Sequence, residues 1–484
     1  MTMSRRQALS LLGLGAALVA APGCSLIPGR AAQPRLLPST AALPGPFTVP
    51  LPIPKVAEPV RPGHYEFEQR ETRMEILPGL STPVWTYGGR FPGPTVRARS
   101  GEATTVRVTN RLGVPTVLHL HGGHTPPEHD GFPTDLVQPG TSRDHRFPLR
   151  QRAATLWYHD HRMDRTGLQV WRGLAGFFLV EDAEEAALPL PRGDRDIPLM
   201  ICDRSFAEDG SMPYPAHPDR MGVLEAYMGG VLGDVILVNG APWPELKVAG
   251  ARYRLRLLNA SNARVYELSL SNNARIVQIG SDGGLLTAPR PLDRIRLAPS
   301  ERADVVVDFS GHRPGDRIEL RNLAGEGRQA QVMRFTVDRD EPDDSGVPAT
   351  LSRIERLDPR QAAVTREFRF TSGKTHHGTG WLINGKPFDP NRIDARPRLG
   401  DIEIWRISSD VTHPFHLHLV PFQVLSVGGE PVTAAPEWKD TVEVRDNQVV
   451  EIITRFTGYR GRYVLHCHNL EHEDMVMMAT FEVV

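Results

Sequence analysis

The chain has 484 residues, a formal charge of −1 from 56 Lys and Arg against 57 Asp and Glu, and 44 Gly with 43 Pro. That length exceeds one ordinary core and, at roughly 100–200 residues per domain, points to about three. Balanced charge leaves no electrostatic footprint for nucleic acid or an anionic membrane, and abundant turn formers between short apolar stretches favour all-β domains over helical bundles.

Residues Ser4-Arg5-Arg6-Gln7-Ala8-Leu9, with an apolar stretch from Ala8 to Ala21, read as a twin-arginine-type leader over 1–33. The stretch is shorter than the roughly 20 residues a membrane-spanning helix needs. Export to the periplasm or the medium is the expectation, with Cys24 a candidate lipid attachment point and the sole reason to expect a membrane anchor. A Pro-rich arm over 34–62 is expected to drape over the first domain. Domains are expected at 63–185, 195–340 and 360–484, separated by charged, Pro-containing stretches near Glu181–Asp196 and Asp338–Asp358.

Within them, the residues from Thr104 to Thr109, Arg252 to Leu257 and Val449 to Phe456 read as strands, the first two with alternating patterns that predict one solvated face. Turn clusters such as Tyr87-Gly88-Gly89, Ser281-Asp282-Gly283-Gly284 and Val427-Gly428-Gly429 predict antiparallel sandwiches. Three cysteines are too few for a disulfide framework, and Cys202, in the apolar run Leu199-Met200-Ile201, reads as core.

The histidines carry the chemistry. Of 18, eight form four His-x-His pairs: His119/His121 and His159/His161 in the first domain, His416/His418 and His466/His468 in the third. The middle domain holds only His217 and His312, so it reads as a spacer between two halves of one site. On a strand, residues i and i+2 share a face, so each pair presents two imidazoles side by side. Eight imidazoles alone say only "transition-metal cluster".

Cys467 separates His466 from His468 and must face the other way on a regular strand. His472 follows five residues later and Met477 five after that, while His413 stands three before His416. Two imidazoles, a thiolate and a weak thioether are the ligand set of a blue-copper electron-transfer site. The spacing favours Met477 over Met475 and Met478 as the axial ligand.

The segments His119-Leu120-His121-Gly122, Trp157-Tyr158-His159-Asp160-His161, His413-Pro414-Phe415-His416-Leu417-His418 and His466-Cys467-His468 through His472 to Met477 resemble all four copper motifs of the three-domain multicopper oxidases. The likeness runs from about Pro62 to the C-terminus and is nearest the bacterial spore-coat laccase and bilirubin oxidase branch. It implies three cupredoxin-like Greek-key β-sandwiches and four copper ions. His413, Cys467, His472 and axial Met477 would hold type 1 copper. His119 and His416 would hold type 2. His121, His159 and His468 would hold one type 3 ion, and His161, His418 and His466 the other. It also implies proton-relaying acids at Asp130, nine residues after His121, and at Glu473. His124, His129, His376 and His377 are read as surface residues, and Met212, Met221 and Met228 as core or loop residues.

The expected activity is laccase-like: one-electron oxidation of phenols, aromatic amines or bilirubin-like compounds, with O2 reduced to water, by a monomer. The short loop from Gly428 to Glu437 is expected to leave the type 1 rim open to bulky aromatics. The alternative is a metallo-oxidase taking Cu(I), Fe(II) or Mn(II). A non-catalytic cupredoxin scaffold would have lost ligands, and none is lost.

Overall fold

The computed structural model describes residues 33–375 and 378–484. Cys24, nearly all of the expected leader, His376 and His377 lie outside those residues. Among the described residues, regular structure is almost entirely strand, with α-helices only at Thr166–Trp171, Ala183–Ala186 and Leu470–Asp474.

Three pairs of sheets succeed one another along the chain. Strands from His64 to Glu181 form two four-stranded sheets, those from Asp196 to Arg339 a seven- and a five-stranded sheet, and those from Ala362 to Val483 a six- and a four-stranded sheet. In the first pair, Phe67, Val106 and Val108 of one sheet share an apolar cluster with Val96, Leu156 and Phe178 of the other. The chain crosses repeatedly between sheets, giving cupredoxin-like Greek-key sandwiches.

Two sequence expectations change. The sandwiches are mixed rather than antiparallel: His64–Met74 runs parallel to Thr104–Asn110, Asp196–Arg204 to Arg252–Asn259, and Ala362–Thr375 to Ile402–Ser409. Turn residues mark where the chain reverses, but a parallel pair is closed through the opposite sheet, which no local signal reveals. The strand Arg252–Asn259 also lacks a solvated face, because Arg254 and Arg256 are buried. Arg254 bonds both carboxylate oxygens of Glu185, and Arg256 those of Asp196, with Asp304 beside both arginines.

This cluster joins the short helix that follows the first sandwich to the middle one, and it has a pH signature. Burial alone would raise the carboxyl of Glu185, but Arg254 and Arg256 hold it down at about 2; Asp196 is held at about 2 chiefly by Arg256 against the same burial. Depressed carboxyls stabilise the fold above their ordinary values near 4, and that contribution fades as pH falls toward 2. Glu185→Gln is therefore expected to melt well below the wild type at pH 7, with the gap closing between pH 5 and 2. Thermal scans across that range check this, and a gap independent of pH overturns it.

The Pro-rich arm touches the middle sandwich before the first. Arg35–Leu37 pairs with Val231–Gly233, the Phe47 and Leu51 amides bond Trp243 and Glu245 carbonyls, and only then does Ala57 bond Thr95 of the first sandwich.

Candidate metal centre

Strand register explains how one segment serves two sites. Phe415 lies opposite Cys467 and His416 opposite His466 on antiparallel neighbours, and directly opposed residues point to the same face. His413, Phe415 and Cys467 therefore share one face, while His416 and His466 share the other. In the first sandwich His119 lies opposite His159, and the alternating Leu118, Leu120, Leu156 and Tyr158 fill the apolar core. His119, His121 and His159 thus turn away from their own core.

The eight paired histidines meet in one buried cluster. Nε2 of His466 is 3.2 Å from Nε2 of both His161 and His418. One ring hydrogen cannot bridge both, whereas nitrogens about 2.0–2.1 Å from a shared metal ion have this spacing. The rings of His121, His159 and His468 are more loosely grouped, with centroids 5.0–5.8 Å apart. His119 and His416 are 6.0 Å apart. Ligand atoms of His121 and His159 also come within metal-sharing reach of His119, and those of His121 within reach of His416 and Asp440, so proximity alone does not apportion them.

Orientation says which nitrogen is offered. His119 Nδ1 donates to the Asp130 carbonyl at 2.6 Å, His159 Nδ1 to the Asp160 carbonyl at 2.8 Å, and His416 Nδ1 to the Asp440 carbonyl at 2.8 Å. Each leaves a buried Nε2 with no hydrogen-bond partner. His121 is turned around: its Nε2 is 3.0 Å from Asp440 Oδ1, and its Nδ1 is the unpartnered atom. Both nitrogens of His468 are unpartnered. Buried polar atoms without partners are costly, and a metal ion is the partner this set fits. Burial, followed by a neighbouring imidazole, pushes His119, His121, His159, His416, His418 and His468 well below the usual histidine range, leaving them neutral as metal ligands must be.

Asp130 and Glu473 both lie against these imidazoles. His418 Nδ1 donates to Asp130 Oδ2 at 2.7 Å, so Asp130 braces a histidine implied for type 3 as well as His119. Glu473 places Oε1 3.2 Å from His161 Nδ1 and Oε2 3.2 Å from His466 Nδ1, and accepts a bond from Thr166 Oγ1 at 2.6 Å. Burial raises the Asp130 carboxyl well above the ordinary range. Burial would raise Glu473 too, but His161 and His466 bring it below its usual value.

On the other face, Cys467 Sγ lies 3.4 Å from His413 Nδ1 and 3.5 Å from His472 Nδ1, and the two nitrogens are 3.0 Å apart. The Asn469 side chain caps the helix carrying His472, and the Asn469 backbone N–H donates to Cys467 Sγ. Met477 is fully buried, and its carbonyl accepts the Cys467 N–H. Trp381, which no spacing pointed to, has its ring 4.0 Å from that of His472 and donates Nε1–H to the Met228 carbonyl.

Two cavities adjoin these sites. One of about 280 Å³ has His472 in its wall, with Gly229, Leu232, Ala263 and Val265 of the middle sandwich, Thr412 and Asn469 of the third, and Gln33 and Pro34 where the expected leader meets the arm. The loop from Gly428 to Glu437, expected at this rim, supplies no wall; its Glu437 pairs with Arg290 and its Ala434 carbonyl accepts from Arg356. The second, about 270 Å³, is lined by His119, His418 and Asp440, and also by His124, which is a cavity wall rather than a plain surface residue. His129 is half-buried, and Cys202, Met212 and Met228 are core residues as expected.

Family models described as multicopper oxidase match residues 68–185 and 359–484. A laccase of Bacillus stratosphericus is 39% identical over 90% of this chain and 99% of its own, and a bilirubin oxidase of Albifimbria verrucaria 36% identical over 90% and 81%. The crystal structure of a multi-copper oxidase from Pediococcus acidilactici superposes with a TM-score of 0.83 at 33% identity, covering 93% of each chain. With such relatives along nearly its whole length and a buried His and Cys constellation at the matching motifs, the chain belongs to the multicopper oxidase family.

Proposed function

We propose that the protein is a laccase-like oxidase holding four coppers: type 1 on His413, Cys467, His472 and Met477; type 2 on His119 and His416; type 3 on His121, His159, His468 and on His161, His418, His466. Copper bound there supplies one-electron oxidation of the substrate and four-electron reduction of O2 to two waters. The observation that carries the reading is Cys467, whose sulfur faces His413 and His472 while its neighbours His466 and His468 face the other cluster. Its main chain is a covalent route between the two sites.

The residues divide the remaining work. His472, in the wall of the 280 Å³ cavity, is the point where a reductant approaches, and Trp381 covers its ring. Leu232, Ala263 and Val265 give this mixed wall, which also holds Arg296, Glu443 and Asp446, an apolar strip for an aromatic ring, and the laccase and bilirubin oxidase relatives support an organic reductant. Asp130 places a carboxyl that burial keeps protonatable beside His418, Glu473 places a carboxylate that can take up and pass on protons beside His161 and His466, and the second cavity gives O2 and water an approach to His119 and His418. The Arg5-Arg6 leader supports an exported protein.

Steady-state O2 consumption on a simple phenol, bilirubin and Cu(I), with one copper-loaded preparation, tests the substrate class. An organic substrate is expected to give the highest kcat/KM; a tenfold preference for Cu(I) overturns it.

A further inference from the structure

Arg302, on the strand Arg302–Asp308 of the middle sandwich, is buried against the third sandwich. All five of its guanidinium donors are used. Nε–H donates to the Thr155 carbonyl of the first sandwich, Nη1 to the Ser300 carbonyl and Asp440 Oδ1, and Nη2 to the Asp282 carbonyl and Asp440 Oδ2. The fork thus grips both oxygens of Asp440 in a planar, bidentate geometry that only arginine provides.

Asp440 stands at the centre of one side of the cluster. Its Oδ1 faces His121 Nε2 and its carbonyl accepts from His416 Nδ1, while Thr441 Oγ1 lies 3.3 Å from both imidazoles and 3.0 Å from Ser300 Oγ. Further parts of the middle sandwich secure the same point. Asp282 accepts from the Arg302 amide and pairs with Lys439, and Ser300 holds a left-handed backbone at φ 70°. The residue after His121 is Gly122, at φ 81°, where a Cβ would come within 2.8 Å of Arg302 Nη2 and Asp440 Oδ2. The chain gives up a side chain there so that the ion pair can lie against the metal-binding strand.

We infer that Arg302 is a positioning residue for the trinuclear site: by fixing Asp440 it holds His121 in the inverted orientation that offers Nδ1, and holds His416 beside it. The middle sandwich is then part of the O2-reducing site rather than a spacer. This rests on the copper assignment proposed above.

The test compares Arg302→Gln with Glu185→Gln, which disturbs the other buried ion cluster but touches no imidazole. Copper per folded chain, the type 2 signal in electron paramagnetic resonance, the blue absorption and O2 consumption are measured on each. Arg302→Gln is expected to lose or alter the type 2 signal, bind less copper and consume O2 at least tenfold more slowly, with blue absorption per chain kept; Glu185→Gln is expected to keep all four. If Arg302→Gln does not fold, Asp440→Asn, similar in size and still offering one oxygen to Arg302, is expected to give the same signature. Wild-type copper content, type 2 signal and O2 rate in the folded variant overturn the inference, as does a loss of copper shared equally by the blue site. A wild type without blue copper sinks the underlying assignment instead.

Discussion

Cys467→Ser is expected to abolish both the blue absorption and substrate-driven O2 consumption while leaving the fold in place. The sulfur is fully buried between His413 Nδ1 and His472 Nδ1, and among the described residues these three make up the ligand group there. Serine fits the same space and can still accept the Asn469 N–H, so packing changes little. Its hydroxyl is a harder, neutral ligand without the thiolate's covalency, so the colour and the electron route fail together. Thermal unfolding close to wild type, with copper still bound by the eight paired histidines, would accompany the loss. Oxidase activity surviving in this variant would show that electrons reach the cluster by another path.

The placement of the candidate ligands on opposite strand faces was legible because strand geometry is local. Alternation alone places His466 and His468 opposite Cys467, and the three-residue offset from His413 to His416 puts those two on different faces; register in the structure bears this out. What surrounds the ligands was not legible. Asp440 is 319 residues from His121, and Arg302 is 138 from Asp440, so no spacing connects them. Arg254 and Arg256 alternate with leucines as exposed residues do, and only Glu185, Asp196 and Asp304 arriving from elsewhere let them be buried. The cavity beside His472 was not legible for a similar reason: residues around the third-sandwich motifs, such as Thr412 and Asn469, share its wall with the middle sandwich and the start of the arm, and the loop from Gly428 to Glu437 takes no part. Asp130 and Glu473 were found through resemblance, and the structure adds which imidazole nitrogen each one meets.

Those two acids give the second large effect. Forming two waters from O2 consumes four protons, and in the proposed site the neutral imidazoles are engaged as copper ligands, so a neighbouring acid is the natural group to deliver them. Asp130 Oδ1 has no hydrogen-bond partner although it is buried, and Glu473 meets two imidazoles and Thr166. Asp130→Asn keeps an oxygen to accept the His418 Nδ1–H, and Glu473→Gln one for His161 or His466, so the histidines stay oriented while the carboxyl that can gain and lose a proton is gone. Both variants are expected to keep their copper and their anaerobic rate of type 1 reduction, yet to turn over at least about tenfold more slowly, within the range that positioned acids contribute. If copper is lost instead, the carboxylates act by bracing the ligands, as carboxylate–histidine–metal triads do. Turnover unchanged across the pH range in both variants would remove Asp130 and Glu473 from the proton route and leave water in the cavity beside His119 and His418 as the carrier.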